Sequence, residues 1–387
     1  ALAHAVLALL RALAAPGAEP GWPTVIVPTG SAGKTGTKDL LAQVLATMDT
    51  TVATPLSHND AIGLPLTVLR ADAATRYLVA EMGAGRAGDL RHLTGILPPS
   101  VGLVTTVGTA HLGGFGGSRE AVAAAKGELV EALPADGLAV LNADDPYVLA
   151  MARRTRARVL TFGRDAGQVR ATTVALDRTG RPSFILTGER AGAGVRVTLR
   201  MPGEHHVANA TAAAAVALGL GADLRQVAEA LCKARQLTPG RMEIAERPDG
   251  VTVVNDAVDA NPDSMRAALS ALVAMSADGD RRTVAVLGEM AELGAAFEEQ
   301  HAELGPQPPA AGVGELIAVG SAGARLVHEQ AVAGGVRATL VPDRDAALAR
   351  LLDGFLRSGD LVLLKGSCRT GLEDTARRLA AVRADAG

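Results

Sequence analysis

From residue 23 the chain alternates short aliphatic runs with Ala-rich stretches of helical period. "TVIVPTG" (24–30), "YLVAEMG" (77–83), "VGLVTTVG" (101–108), "LAVLNAD" (138–144) and "RVLTFG" (158–163) are apolar runs that end in Gly or polar residues. Runs of this kind, separated by helical segments, predict strands buried on both faces of a parallel sheet. "KTGTKDLLAQVLATM" (34–48) predicts a helix with Leu40, Leu41, Val44 and Leu45 on one face. Between about 168 and 201 the pattern becomes alternating, with turn signals at Thr179-Gly180 and 192–194, and predicts a small antiparallel patch. Helices over about 206–219 and 223–235 close this half.

At "LTPGRME" (237–243) the pattern turns loop-like, which places a boundary near 237–240. The strand–helix alternation then resumes with "VTVVND", "RTVAVLG", "ELIAVG", "ATLVP" and "DLVLLKG". The expected fold is α/β: a central parallel-sheet domain over 23–237, then a Rossmann-like C-terminal domain over 238–387. Residues 1–22 read as a leading helix and linker. In such sheets the site lies at the carboxyl ends of the strands, where the polar residues of these segments fall.

Composition narrows the function classes. A length of 387 residues with 48% apolar and 20% charged residues fits a folded protein of two or more domains. A net charge of −3 with both signs interspersed offers no basic stripe for nucleic acid. Cys232 and Cys368 lie far apart with no CxxC spacing, which argues against a disulfide framework or structural zinc and favours a reducing cytoplasm. The opening "ALAHAVLALLRALAAPG" is apolar for only about ten residues on end, short of the roughly 20 that a membrane span needs. The expected protein is a cytoplasmic monomer acting on small molecules or peptides.

The sharpest chemical signal is "TGSAGKT", residues 29–35, between an apolar strand and a helix. Glycines let the backbone wrap anionic oxygens, a helix N-terminus adds N–H donors, Lys34 adds a point charge and Thr35 can hold Mg²⁺. Pro28 stands where the usual phosphate-loop pattern has its first Gly, so an ordinary strand-to-helix turn competes with this reading. Glu81 leaves a strand at the carboxyl edge and suits a nucleotide-bound magnesium, or a helix cap. His111 sits in the Gly-rich "TTVGTAHLGGFG", as a metal ligand or a structural histidine. Lys126 in "AAAKGEL" reads by itself as a solvated helix face.

Taken in order, "TGSAGKTGTK", "SHNDAIGLPLTVLR", "EMGAGRAGDL", "TTVGTAHLGGFG", "AKGEL", "LNADDP", "MPGEHHVANATAAAA", "PGRMEI", "NDAVDANPDSMRAAL", "VLGEMAELG" and "LLKGS" resemble the Mur ligase family. Within it they are most similar to the branch that adds D-alanyl-D-alanine to UDP-MurNAc-tripeptide. The resemblance spans residues 23–385 and implies a P-loop-type ATPase domain. It further implies a ligase that activates a carboxylate with ATP to an acyl phosphate, which an amine attacks to give an amide, ADP and phosphate. Thr29, Gly30, Ser31, Gly33, Lys34 and Thr35 would hold the nucleotide phosphates, with Asn209 at the adenine and Arg241 and Asp256 reaching over from the second domain. Thr35, Glu81, His111 and a carbamylated Lys126 would serve two Mg²⁺ ions, and Asn59, Asp259, Asn261 and Ser264 would face substrate.

The chain also departs from the family pattern. Gly36 stands where Thr is usual, His206 where Asn is usual, and Val258-Asp259 replaces Tyr-Asn. Cys368 stands where Arg is usual, and Asp60-Ala61 replaces Asn-Glu. Gly36 adds flexibility in the first turn of a phosphate-binding helix, and a gained Asp changes which charged group is welcome. The family's UDP-binding N-terminal domain is not matched, and residues 1–22 are expected to be its exit segment. A shortened ligase acting on a different carboxylate therefore stays open, as does a nucleotide-binding regulator without turnover. A site drawn from both domains requires them to close, and one structure can show them apart.

Overall fold

The structure is a computed structural model that describes residues 23–109, 112–188, 193–276 and 281–382. The leading helix expected over 1–22 lies outside these residues. The first sheet is built from β1 (Thr24–Thr29), β2 (Thr51–Ala53), β3 (Tyr77–Val79), β4 (Val101–Val104), β5 (Leu138–Asn142), β6 (Arg158–Gly163), β7 (Val169–Leu176), β8 (Pro182–Thr187) and β9 (Val195–Thr198). Their order is β2-β3-β1-β4-β5-β6-β7-β8-β9. Pairing is parallel from β2 to β7, and antiparallel for β7–β8 and β8–β9.

Successive residues of β1 serve two cores, as the alternation of a strand requires. Ile26 faces a core that holds Leu40, Leu41, Val44 and Leu45 of the helix Lys34–Leu45, with Ala210, Ala213, Ala214 and Ala217 of the helix His205–Gly219. Val25 and Val27 face the opposite core, with Leu64, Leu90, Val122 and Leu129 from the helices between strands. The alanines let the two helices of the first core approach closely. At Gly36 an added Cβ would lie 2.8 Å from Asn209 Nδ2 on the neighbouring helix, so glycine is there for space and not for flexibility.

The second sheet contains β10 (Glu243–Glu246), β11 (Thr252–Asp256), β12 (Thr283–Gly288), β13 (Glu315–Val319), β14 (Arg337–Val341) and β15 (Leu361–Lys365). Its order is β10-β11-β15-β12-β13-β14, parallel apart from the β10–β11 pair. Strands β2 and β10 are absent from the sequence reading. They have three and four residues on half-exposed or exposed edges, carry no apolar run, and are strands because β3 and β11 offer them a ladder.

The two sheets point their carboxyl edges at each other, and the halves are in contact rather than apart. Arg241 Nη2 donates to Ser57 Oγ at 3.4 Å, and the Thr109 N–H donates to Asp263 Oδ2 at 3.3 Å. Gly113 meets Gly294 so closely that a Cβ on the former would lie 2.8 Å from the Cα of the latter. Among the described residues no helix is long and apolar enough to cross a membrane.

Candidate active site

The turn after β1 has Gly30 at φ 151° and Gly33 at φ 79°, both in the region that favours glycine. A Cβ at Gly30 would fall 1.8 Å from Thr105 Oγ1. The turn is braced from behind by Thr105 and Thr106 after β4. Ser31 N–H donates to the Thr106 carbonyl at 2.9 Å, Ala32 N–H to Thr106 Oγ1 at 3.1 Å, and Thr105 Oγ1 to the Ala32 carbonyl at 2.6 Å. Gly33 caps the next helix without a side chain, which leaves the helix N-terminus open to an anion. Lys34 Nζ rests on the Gly30 carbonyl at 2.9 Å.

Thr29 and Gly30 shape this turn but do not line the cavity in front of it. The Thr29 hydroxyl is buried and donates to the Met82 carbonyl at 2.8 Å. Thr35 Oγ1 lies 2.9 Å from Ser57 Oγ and donates to Glu81 Oε1 at 3.3 Å. Asn59 Nδ2 donates to the same carboxylate oxygen at 2.7 Å. Asn59, expected at the substrate, thus orients Glu81. The other oxygen, Glu81 Oε2, is buried with no partner.

From the second half, Arg241 pairs with Asp259 at 3.2 Å, and Lys365 pairs with Asp256 at 2.7 Å. Burial opposes the Asp259 charge, but Arg241, Lys34 and Lys365 outweigh it and bring its carboxyl down to about 2. The gained aspartate is therefore matched by cations and is not a free charge awaiting a substrate. Asn261 and Ser264 form a capping box on the helix Pro262–Met275, so their polar groups already have structural work, although both line the cavity.

The His205 and His206 rings, tilted by 39° with centroids 4.2 Å apart, line the cavity beside Asn209. Burial, and then His205, hold the His206 imidazole well below its ordinary range, so it is neutral at physiological pH. Lys126 is buried as well. Desolvation, and then the charge of Lys34, push its amine well below the lysine range. The solvated face expected from sequence alone is not what the structure has. His111 lies outside the described residues.

Most of these groups surround one cavity of about 690 Å³; Lys126, like Thr29 and Gly30, lies outside its lining. Buried side-chain polar atoms normally find partners. Here Ser31 Oγ, Glu81 Oε2, His205 Nδ1, both ring nitrogens of His206 and Arg241 Nε have none, and all five residues line this cavity. Orphaned polar atoms gathered around one cavity mark a place built for a polar ligand. The open helix N-terminus with Lys34 fits phosphates, and Thr35 with the free oxygen of Glu81 fits magnesium, which keeps several waters and needs few protein ligands. Among the described residues no cluster of three His, Cys, Asp or Glu side chains could hold a metal.

Sequence reasoning missed Ser57, Lys365 and His205. Lys365 was visible as the lysine that ends an otherwise apolar strand in "LLKGS", and Ser57 as the residue that opens "SHND".

Known proteins share this sequence pattern and fold. The chain matches the Mur ligase middle domain over residues 29–217 and the Mur ligase glutamate ligase domain over 240–368. It is 47% identical to UDP-N-acetylmuramoyl-tripeptide–D-alanyl-D-alanine ligase of Mycobacterium tuberculosis, over 97% of this chain and 77% of that protein. Identity to the Escherichia coli enzyme of the same name is 33%, over 92% of this chain and 76% of that protein. Among solved structures, MurF from Acinetobacter baumannii superposes with a TM-score of 0.83 at 29% identity, covering 93% of this chain and 77% of that one. MurF from Thermotoga maritima in complex with ADP gives 0.81 at 26% identity, covering 98% and 83%. Two family domains in the same order, and relatives matched along nearly the whole sequence, establish that this chain belongs to the Mur ligase family.

Proposed function

We propose that the protein is an ATP-dependent, ADP-forming ligase that joins D-alanyl-D-alanine to UDP-MurNAc-tripeptide in peptidoglycan precursor synthesis. The names of its relatives support the substrates, and the ADP complex of the Thermotoga relative supports the nucleotide. The observation that carries the reading is the set of orphaned polar atoms around one cavity beside an open phosphate-type turn. A substrate carboxylate oxygen attacks the γ-phosphorus, ADP leaves, and the resulting acyl carbon accepts the amine. The amide forms as phosphate and a proton depart.

Lys34 and the first-turn N–H groups hold phosphate oxygens. Thr35 and Glu81 would hold magnesium, which would neutralise charge developing on the transferring phosphoryl group. Arg241 brings its free Nε to the same charge from the second half, and Asn209 and His206 present polar atoms to the adenine. Asp256 acts through Lys365.

Lys126 fits carbamylation, because a neutral amine has the lone pair that attacks CO₂, giving a carbamate and a proton. The carbamate would turn a site that repels metals into one that holds a second Mg²⁺ with His111. In ¹³C-bicarbonate, the protein should show a carbamate carbonyl resonance that disappears in Lys126→Ala. A spectrum unchanged by that substitution would refute the modification at this position.

The helix Leu224–Lys233 packs in the first core and β10 opens the second sheet, which supports dividing the domains near 237–240. One chain supplies every wall of the cavity, so a monomer suffices, and ATP with two free thiols fits the cytoplasm.

Phosphate release with UDP-MurNAc-tripeptide and D-Ala-D-Ala, against a panel of other carboxylates and amines, tests the function. Lys34→Ala should lower it by about 100-fold or more, as expected for loss of a charge that acts on the transition state. Release with other acids alone would move the substrate assignment. Full activity in Lys34→Ala would sink the role of the turn.

A further inference from the structure

Lys38 and Asp39 lie one turn beyond the phosphate-type loop, 2% and 5% exposed, and the chemistry above gives neither a task. A buried ammonium is costly unless its donors are used. Lys38 Nζ reaches the Thr54 carbonyl at 2.9 Å, the Leu56 carbonyl at 2.8 Å and Asp39 Oδ1 at 2.6 Å. Asp39 Oδ2 accepts the Thr238 N–H at 3.1 Å, across 199 residues of sequence. The pair thus grips two remote loops at once.

Both loops lead directly into the site. Leu56 has φ 50°, a left-handed conformation that L-residues with a side chain avoid, and its side chain is 49% exposed, so packing does not impose it. The next residue is Ser57, which touches Thr35 and Arg241, and Asn59 follows with its bond to Glu81. Thr238 lies three residues before Arg241. A ring of contacts therefore runs from Thr35 along the helix to Lys38 and Asp39, out through both loops, and back through Ser57 and Arg241 to Thr35.

We propose that Lys38 and Asp39 are positioning residues for the magnesium side of the site. Lys38 holds the left-handed Leu56 turn so that Ser57 and Asn59 stay on Thr35 and Glu81. Asp39 fixes the linker that delivers Arg241. The inference rests on reading the cavity as a Mg·ATP site.

Calorimetric titration of ATP into the full chain, once with Mg²⁺ and once with EDTA, separates this from a merely structural pair. Lys38→Met should weaken binding about tenfold with Mg²⁺ and less than about threefold without it, the scale of losing hydrogen bonds to a charged group. Adding Leu56→Gly should recover at least about threefold of the Mg²⁺-dependent loss, because glycine adopts the turn without being held. Equal losses in both conditions, or no recovery in the double variant, would overturn the proposal. Should Lys38→Met fail to fold, Lys38→Arg decides by the same comparison. It keeps the charge but moves the donors, and an affinity equal to wild type with Mg²⁺ would count against positioning. Wild-type binding that ignores Mg²⁺ would instead overturn the site reading itself.

Discussion

Gly36 and His206 both depart from the family pattern, and they are spatial neighbours. A Cβ on Gly36 would sit 2.8 Å from Asn209 Nδ2 and 3.8 Å from His206 Cε1. A smaller residue on one helix thus faces a larger ring on the other, and the two departures read as one compensated change in the lining of the cavity. Among the described residues the Asn209 side chain is held by the Thr37 hydroxyl at 3.3 Å, a single bond that lets it yield. Gly36→Ala should gain about 1 kcal/mol of helix propensity and lose a similar amount by displacing Asn209. Melting temperature should move by only a few degrees while ATP affinity falls several-fold. A large fall in stability with unchanged affinity would contradict this account.

At the scale of elements, legibility followed burial. The central strands could be read because both of their faces are covered, which writes an unbroken apolar run into the sequence; β1, β4 and β5 are examples. Edge strands β2 and β10 left no such trace. The site divides in the same way: the Gly-Lys-Thr turn is a local pattern, but the Arg241–Asp259 match and the burial of Lys126 depend on neighbours far away in sequence. The helix Pro262–Met275 shows how one motif serves two readings. Its "NPDS" start, expected to face substrate, forms a capping box and also lines the cavity. Asn261→Ala should cost about 1 kcal/mol in urea denaturation, the usual value for a lost cap, and change the KM for the carboxylate and amine substrates by less than about twofold. A large KM change would restore the substrate role.

At the scale of the molecule, two halves share one site, and Arg241 is the side chain that bridges them at Ser57. Arg241→Ala should let them separate, seen as an increased radius of gyration by small-angle scattering with the melting transition retained. The same arginine has a pH signature through Asp259. Its folded value of about 2 lies below the roughly 4 of an unfolded aspartate, so the pair contributes fully above pH 4 and is lost as the pH falls through 2. Asp259 is 43% exposed, which limits the effect to about 1 kcal/mol or less. Between pH 4 and 3, Asp259→Asn should therefore lose less stability than wild type in urea titrations.

The bond between Asp39 and Thr238 also sets an order of events during synthesis. Its partners are 199 residues apart, and Gln43 reaches Arg235 across 192. At roughly 5–20 residues per second a ribosome needs on the order of 10–40 s to travel that distance. For that interval the nascent helix behind the phosphate-type turn carries Asp39 without its partner at Thr238, although Lys38 can already meet the Thr54 and Leu56 carbonyls. The nucleotide site should therefore mature late, after the linker has emerged, and a pause placed just before Thr238 should prolong the time the emerging chain spends in reach of chaperones.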